Sequence, residues 1–253
     1  MKRIVVLVAL LSLAGGLALA QLPDLEGRVI TVGSDTTYPP FETVNEAGEI
    51  VGFDVDVVNA VCERINCVAQ FQTTAWDGIL AALDAGEFDM VASGMTITEE
   101  RARQVDFTIP YFTVDQAIAV RVEDEDLTLE EFTDSGSSLT LGAQVGTTNA
   151  LTAQNLVGRD RVQLYDDFNS AIQGLINGDV DGVAIDDVTA DAFVQQYAGL
   201  LAVSIREVES GDNLGFAVRQ GDELVDALDA GIAAIDADGT LAELVERWFV
   251  AEE

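Results

Sequence analysis

Histidine is absent from the 253 residues, and lysine occurs once, at Lys2. The first absence removes imidazole as a triad base, a metal ligand or a proton shuttle. The second leaves no lysine beyond position 2 to form a Schiff base. Cysteine is nearly missing too, with Cys62 and Cys67 as the only pair. Positive charge of any kind is scarce: 12 Lys and Arg stand against 45 Asp and Glu, a net charge of −33. Such a balance excludes nucleic acid as a partner. It also keeps a surface soluble and suits a salt-rich surrounding, although a compositional habit of the source genome explains it equally well. After the first twenty residues no apolar run approaches the length of a membrane-spanning helix.

What the chain does have begins at its N-terminus. Lys2 and Arg3 precede an apolar run from Ile4 to Leu13, and Ala18-Leu19-Ala20 supplies small residues before Gln21. This is the pattern of a cleaved secretory signal over residues 1–20, which predicts a soluble periplasmic protein. Without Lys2 and Arg3, 10 positive residues face 45 acidic ones, a net charge of −35. In an oxidising compartment Cys62 and Cys67 can form a local disulfide, with Asn66 between them as a left-handed stop; two reduced buried thiols are the alternative. A metal site lacks the further ligands it needs.

A helix, a glycine stop and a short apolar strand occur twice, 92 positions apart. Leu83, Gly86, Asp89, Val91 and Ala92 recur as Leu175, Gly178, Asp181, Val183 and Ala184. The first copy ends in Ser93-Gly94-Met95-Thr96 and the second in Asp186-Asp187. Ligands of open α/β sheets collect at the carboxyl ends of strands, so two such units predict two lobes facing a cleft.

Around the repeat, Gly27–Gly33 reads as a first strand, Glu46–Glu49 as a hairpin turn and Asp54–Arg64 as a helix with Val57, Val58, Val61 and Ile65 on one side. Val68–Gln72 reads as a strand and Asp77–Ala85 as a helix. The apolar Gln116–Val122 run, followed by polar breaks, marks a crossing to the second half, where Leu139–Gln144 leads into Gly146-Thr147-Thr148. Glu207–Asn213 and then Leu214–Val218 mark the return. Thr240 caps a last helix striped by Leu241, Leu244, Val245 and Trp248. The expected architecture is an α/β clamshell with two crossover strands: lobe 1 from residues 27–117 plus 214–253, lobe 2 from 122–208.

Several side chains at the predicted cleft edge carry binding chemistry. Arg101, just past the first repeated strand, can grip a carboxylate in bidentate fashion, with Thr96 and nearby N–H groups as further donors. An ordinary surface pair with Glu99, Glu100 or Asp106 is the competing reading. Asp186 sits at the matching edge of the second copy, where an anion would hold an ammonium, and Asp187 is its rival. Tyr38 and Trp76 follow successive strands and offer faces for stacking or cation–π contact, or else fill the core.

The strings Gly33-Ser34-Asp35-Thr36-Thr37-Tyr38-Pro39-Pro40-Phe41, Val51-Gly52-Phe53-Asp54-Val55-Asp56, Ser93-Gly94-Met95-Thr96-Ile97-Thr98-Glu99-Glu100-Arg101, Val105-Asp106-Phe107-Thr108, Gly146-Thr147-Thr148 and Asp238-Gly239-Thr240 run in order over nearly all of residues 27–250. Together they resemble the polar amino-acid solute-binding proteins of bacterial ABC importers. The resemblance implies the two-lobed periplasmic binding fold. It implies that Arg101, Thr96 and the Thr148 N–H clamp a ligand carboxylate, while Asp186 and a carbonyl near Ser93 or Gly94 take the α-ammonium. Tyr38 and Trp76 would flank the ligand side chain, with Asp35 at its tip. In some basic amino-acid binders a disulfide lies near the positions of Cys62 and Cys67, across a longer gap than here.

Capture of a basic or amide amino acid and delivery to an inner-membrane ABC permease, by a monomer needing no cofactor, metal or catalytic residue, is the leading expectation. A cyclohexadienyl-dehydratase-like lyase on the same fold is the alternative, with a cleft carboxylate as general acid. A glycoside hydrolase using two of the many carboxylates is a third.

Overall fold

The computed structural model describes residues 22–250, so the expected signal segment 1–20 lies outside the described residues. The first strand, β1 (Arg28–Ser34), buries Ile30 and Val32 completely. A three-stranded antiparallel sheet follows: β2 (Thr37–Tyr38), β3 (Glu42–Val44) and β4 (Ile50–Val51). Its last turn is organised by the Asn45 side chain, which accepts the N–H groups of Ala47 and Glu49. Helix α1 (Phe53–Ile65) buries Val57, Val58, Val61 and Ile65 and stops at Asn66, whose φ of 54° is left-handed. Beyond it runs β5 (Cys67–Thr73), tied to the helix by a Cys62–Cys67 disulfide. Of the two states the thiols could take, this is the oxidised one.

Helix α2 (Ile79–Asp84) is shorter than the Asp77–Ala85 span expected, because Gly78 precedes it with a φ of 85° that a helix cannot include. Then come β6 (Met90–Val91), β7 (Val105–Phe107) and β8 (Phe112–Arg121). The second half repeats the scheme with α3 (Leu129–Thr133), β9 (Leu141–Gln144), α4 (Thr148–Val157), β10 (Val162–Tyr165), α5 (Phe168–Asn177), β11 (Gly182–Asp186) and α6 (Asp187–Gln196). The chain closes with β12 (Leu201–Leu214), β13 (Ala217–Arg219), α7 (Leu224–Ala237) and α8 (Thr240–Phe249). Both repeated stops, Gly86 at φ 78° and Gly178 at φ 82°, take the left-handed conformation the sequence called for.

Two five-stranded sheets result, ordered β5-β1-β6-β13-β7 and β10-β9-β11-β8-β12. In each, the three strands of the repeated unit are parallel, and the fourth strand joins them antiparallel. The connection between the sheets is made by β8 and β12, which pair from Leu201↔Arg121 to Leu214↔Phe112. Of the Gln116–Val122 run expected as the crossing, Gln116–Val120 already pairs with β11 inside the second sheet. The chains leave the first sheet where Phe112–Val114 pairs with Asp212–Leu214, and the polar Glu207–Asn213 stretch is part of the strand and not a loop before it. Alternation of apolar residues marks strand character but not the point at which a continuous strand changes sheets. At the C-terminus Thr240 is the first residue of α8 and not its cap. Gly239 takes the cap position with a φ of 86°, and the Thr240 hydroxyl donates to Asp238.

Candidate functional site

The carboxyl ends of β1, β6, β9 and β11 converge on a narrow cavity between the two sheets. All nine residues singled out for binding line it: Asp35, Tyr38, Trp76, Ser93, Gly94, Thr96 and Arg101 from the first sheet's side, Thr148 and Asp186 from the second. Four more wall residues were not anticipated: Gln144, Thr147, Asn149 and Phe168. Phe168 stands 92 positions after Trp76, so the repeat offset itself pointed to it. Gln144 closes β9 just before Gly146-Thr147-Thr148, the second-half counterpart of the β1 edge.

Arg101 lies in the turn after Thr98 and Glu99, where its partly buried guanidinium donates to the Thr96 carbonyl at 2.9 Å and the Gly146 carbonyl at 3.3 Å. It stacks on Trp76 with 5.1 Å from guanidinium carbon to ring centroid. Among the described residues it makes no ion pair within 4.0 Å, so the surface pairing with a neighbouring acid is not the arrangement found. Burial lowers its pKa to about 10, against the opposing pull of Asp186 and Asp212. A desolvated guanidinium that has only carbonyls as partners retains its affinity for a carboxylate.

Asp186, the last residue of β11, is 2 % exposed. Its carboxylate accepts from the Tyr38 hydroxyl and from Asn149 Nδ2 at 2.8 Å. Burial raises it to about 6, while the two hydrogen bonds hold it down. Asp187 turns away, opening α6 and accepting the Asp115 N–H, and is not part of the cavity wall. Asp186, the member of the pair chosen from the repeat register, is the one that lines the cavity. Gly94 is required here by geometry, since a Cβ on it would fall 2.7 Å from the Tyr38 ring at a left-handed φ of 51°.

At the other end Asp35 is buried, accepting from Gln144 Nε2 at 2.7 Å and Thr37 Oγ1 at 2.9 Å. Burial raises its carboxyl, opposed by those two donors. Tyr38 and Phe168 stack with centroids 4.9 Å apart, forming an aromatic wall between Asp35 and Asp186. Thr147 caps α4 through the Ala150 N–H, so Thr148 begins the helix and its N–H belongs to the set with no intrahelical acceptor. Among the described residues no group of three or more Cys, Asp or Glu is placed to hold a metal ion.

Arg101, which has no carboxylate within 4.0 Å among the described residues, and the Asp186 carboxylate thus line one cavity between two α/β halves, and comparison with known proteins gives that arrangement a context. Residues 30–251 match the profile of the bacterial extracellular solute-binding proteins, family 3. The chain belongs to this family. It is 32 % identical over 253 residues to the ABC transporter arginine-binding protein 1 of Escherichia coli K12, covering 98 % of this chain and 99 % of that one. Among solved structures, an ancestral arginine-binding protein bound to glutamine is 35 % identical with a TM-score of 0.81, covering 88 % of this chain and 98 % of the other. An ancestral amino acid-binding protein described as a precursor of cyclohexadienyl dehydratase is 32 % identical with a TM-score of 0.78, covering 87 % and 95 %. As in those structures, the fold is the two-lobed α/β arrangement of amino-acid-binding proteins.

Proposed function

We propose that this protein is a periplasmic receptor that captures a polar amino acid, cationic or amide in its side chain, and delivers it to an inner-membrane ABC permease. The observation that carries this reading is that Arg101, partly buried and with no carboxylate within 4.0 Å among the described residues, shares one cavity with Asp186, buried and held ionisable by Tyr38 and Asn149. Arg101 with Thr96 and the Thr148 N–H would take the α-carboxylate, and Asp186 with a Ser93 or Gly94 carbonyl the α-ammonium. Tyr38, Trp76 and Phe168 would enclose the side chain. Asp35 favours a positive or donor-bearing tip, because a second carboxylate beside it would find no cation to offset it. The names of the relatives, which refer to arginine and glutamine, support the same side-chain class.

No chemical step is needed for that role. The lyase reading draws on the burial of Asp186, which raises its carboxyl to about 6, so that it could deliver a proton. Both of its oxygens are already engaged by protein donors, which suits holding an ammonium better than proton transfer. A thermal-shift screen of the twenty amino acids, followed by recovery of the ligand, tests both readings. The expected result is a clear shift with arginine, lysine or glutamine and unmodified ligand after incubation. A preference for glutamate, aspartate or leucine, or chemical conversion of the ligand, would overturn the assignment.

A further inference from the structure

Behind the cavity, and not part of its lining, two carboxylates are buried together. Glu42 on β3 and Asp54 in the first turn of α1 are both 0 % exposed. Neither forms an ion pair among the described residues. The titratable groups that face Glu42 are Asp54 from α1, Asp35 from the loop after β1, Tyr38 from β2 and Tyr111 from the segment before β8. None of them is a cation.

Hydrogen-bond donors are divided unequally between the two acids. Asp54 accepts the Tyr111 hydroxyl at 2.7 Å and the Gly94 N–H at 2.8 Å, and the start of α1 adds a favourable dipole. Glu42 receives only the Ser93 hydroxyl, at 2.7 Å on Oε1, and its Oε2 has no hydrogen-bond partner. The same Ser93 oxygen accepts the Asp35 N–H at 2.9 Å. A chain of hydrogen bonds thus runs from the Asp35 backbone through Ser93 to Glu42. Asp54 holds the next residue, Gly94.

We infer that Glu42 is protonated and Asp54 ionised at neutral pH, and that neutral Glu42 is a positioning residue which, through Ser93, fixes the Asp35 and Ser93–Gly94 edges of the binding cavity. Two carboxylates in one desolvated site do not both ionise, and the one with an orphaned oxygen keeps the proton. Burial raises both carboxyls, and the Asp54 charge raises Glu42 further. The positional part rests on the amino-acid-binding reading; the protonation part does not.

The test compares E42Q and E42A in the full chain, by ligand-free thermal unfolding between about pH 5 and about pH 9. Calorimetry with L-arginine accompanies it. A carboxyl with a raised pKa binds its proton more tightly folded than unfolded, so wild type loses stability as pH rises from the unfolded value towards the folded one. Glutamine cannot ionise and still offers Ser93 an oxygen. The melting temperature of E42Q should therefore pull ahead of wild type as pH rises, by roughly 4 °C or more. E42A, which strands the Ser93 hydroxyl, should melt lower at every pH and bind L-arginine at least about tenfold more weakly, with E42Q within about threefold of wild type. In the unmutated protein, infrared spectroscopy should show a protonated-carboxyl C=O stretch at neutral pH. A gap between E42Q and wild type that does not change with pH, E42Q failing alongside E42A, or no such infrared band would each overturn the inference. If wild type binds no amino acid, the functional reading falls, while the pH-dependent gap and the infrared band still decide the state of Glu42.

Discussion

Arg101 is a partly buried guanidinium whose protein partners are carbonyls and a tryptophan face, so its removal should matter to a ligand far more than to the fold. Losing one partner of a desolvated carboxylate pair costs about 3–5 kcal/mol. Arg101→Ala should therefore weaken amino-acid binding at least about a hundredfold with little change in melting temperature. Calorimetry giving an affinity within a few-fold of wild type would sink the carboxylate assignment. Asp186→Asn should be similarly severe, and Asp187→Asn mild, because only Asp186 reaches the cavity. Under the proposed role, binding of an ammonium would require the Asp186 carboxylate, whose pKa burial raises to about 6. Affinity should be flat above neutral pH and fall by about tenfold per pH unit once below that value, in the wild type and not in Asp186→Asn. The sign is opposite for the empty protein, in which a carboxyl raised by burial loses folding stability as pH rises through the same range. Residues of the first sheet's side were legible because they sit in continuous strings after strand ends. Asn149 and Gln144 were not, since an amide that orients a carboxylate has no spacing signature of its own.

Strands and helices came through best where the chain is punctuated. Asn66, Gly86 and Gly178 end their elements as their residue types predict, and the 3.6-residue stripe of α1 buries the positions it selected. What could not be read was the continuity of β12, whose fourteen residues include the polar stretch taken for a break. Its pairing with β8 shifts register three times, which is how a strand with such a sequence stays in the ladder. The Cys62–Cys67 bridge joins the end of α1 to the start of β5 across the left-handed Asn66. It constrains the unfolded chain only over a short loop, so replacing both cysteines by serine should cost about 2 kcal/mol and leave the ligand site unaltered. Alkylation of the purified protein without prior reduction should label neither thiol, and labelling of both would refute the bridge.

Among the described residues the two sheets are joined by two strands, β8 and β12, and they also meet at the cavity. Tyr38 reaches Asp186, Gln144 reaches Asp35 and Arg101 reaches the Gly146 carbonyl, each bond running from one half to the other. All three bonds consume groups that face the ligand space. Without a ligand they leave the Arg101 cation and the Asp186 carboxylate desolvated, so opening the halves and rehydrating both charges competes with closure. The excess of negative charge spread over both halves adds a repulsion that favours the open form at low salt. Under the proposed function a zwitterionic ligand would neutralise both ends at once and bind the closed form better than the open one, which is the condition for a population shift. A hinge between the halves would then lie where Phe112–Val114 pairs with Asp212–Leu214, beside the bulge that carries Gly211 at a φ of 84°. Small-angle scattering should show a smaller radius of gyration on saturation with ligand, and the difference should shrink as salt screens the repulsion in the empty protein. A Gly211→Val variant, forcing a branched side chain into a left-handed backbone, should shift the closing equilibrium without touching a ligand contact. Identical scattering curves with and without saturating ligand at low salt would show that the two halves do not open about these strands.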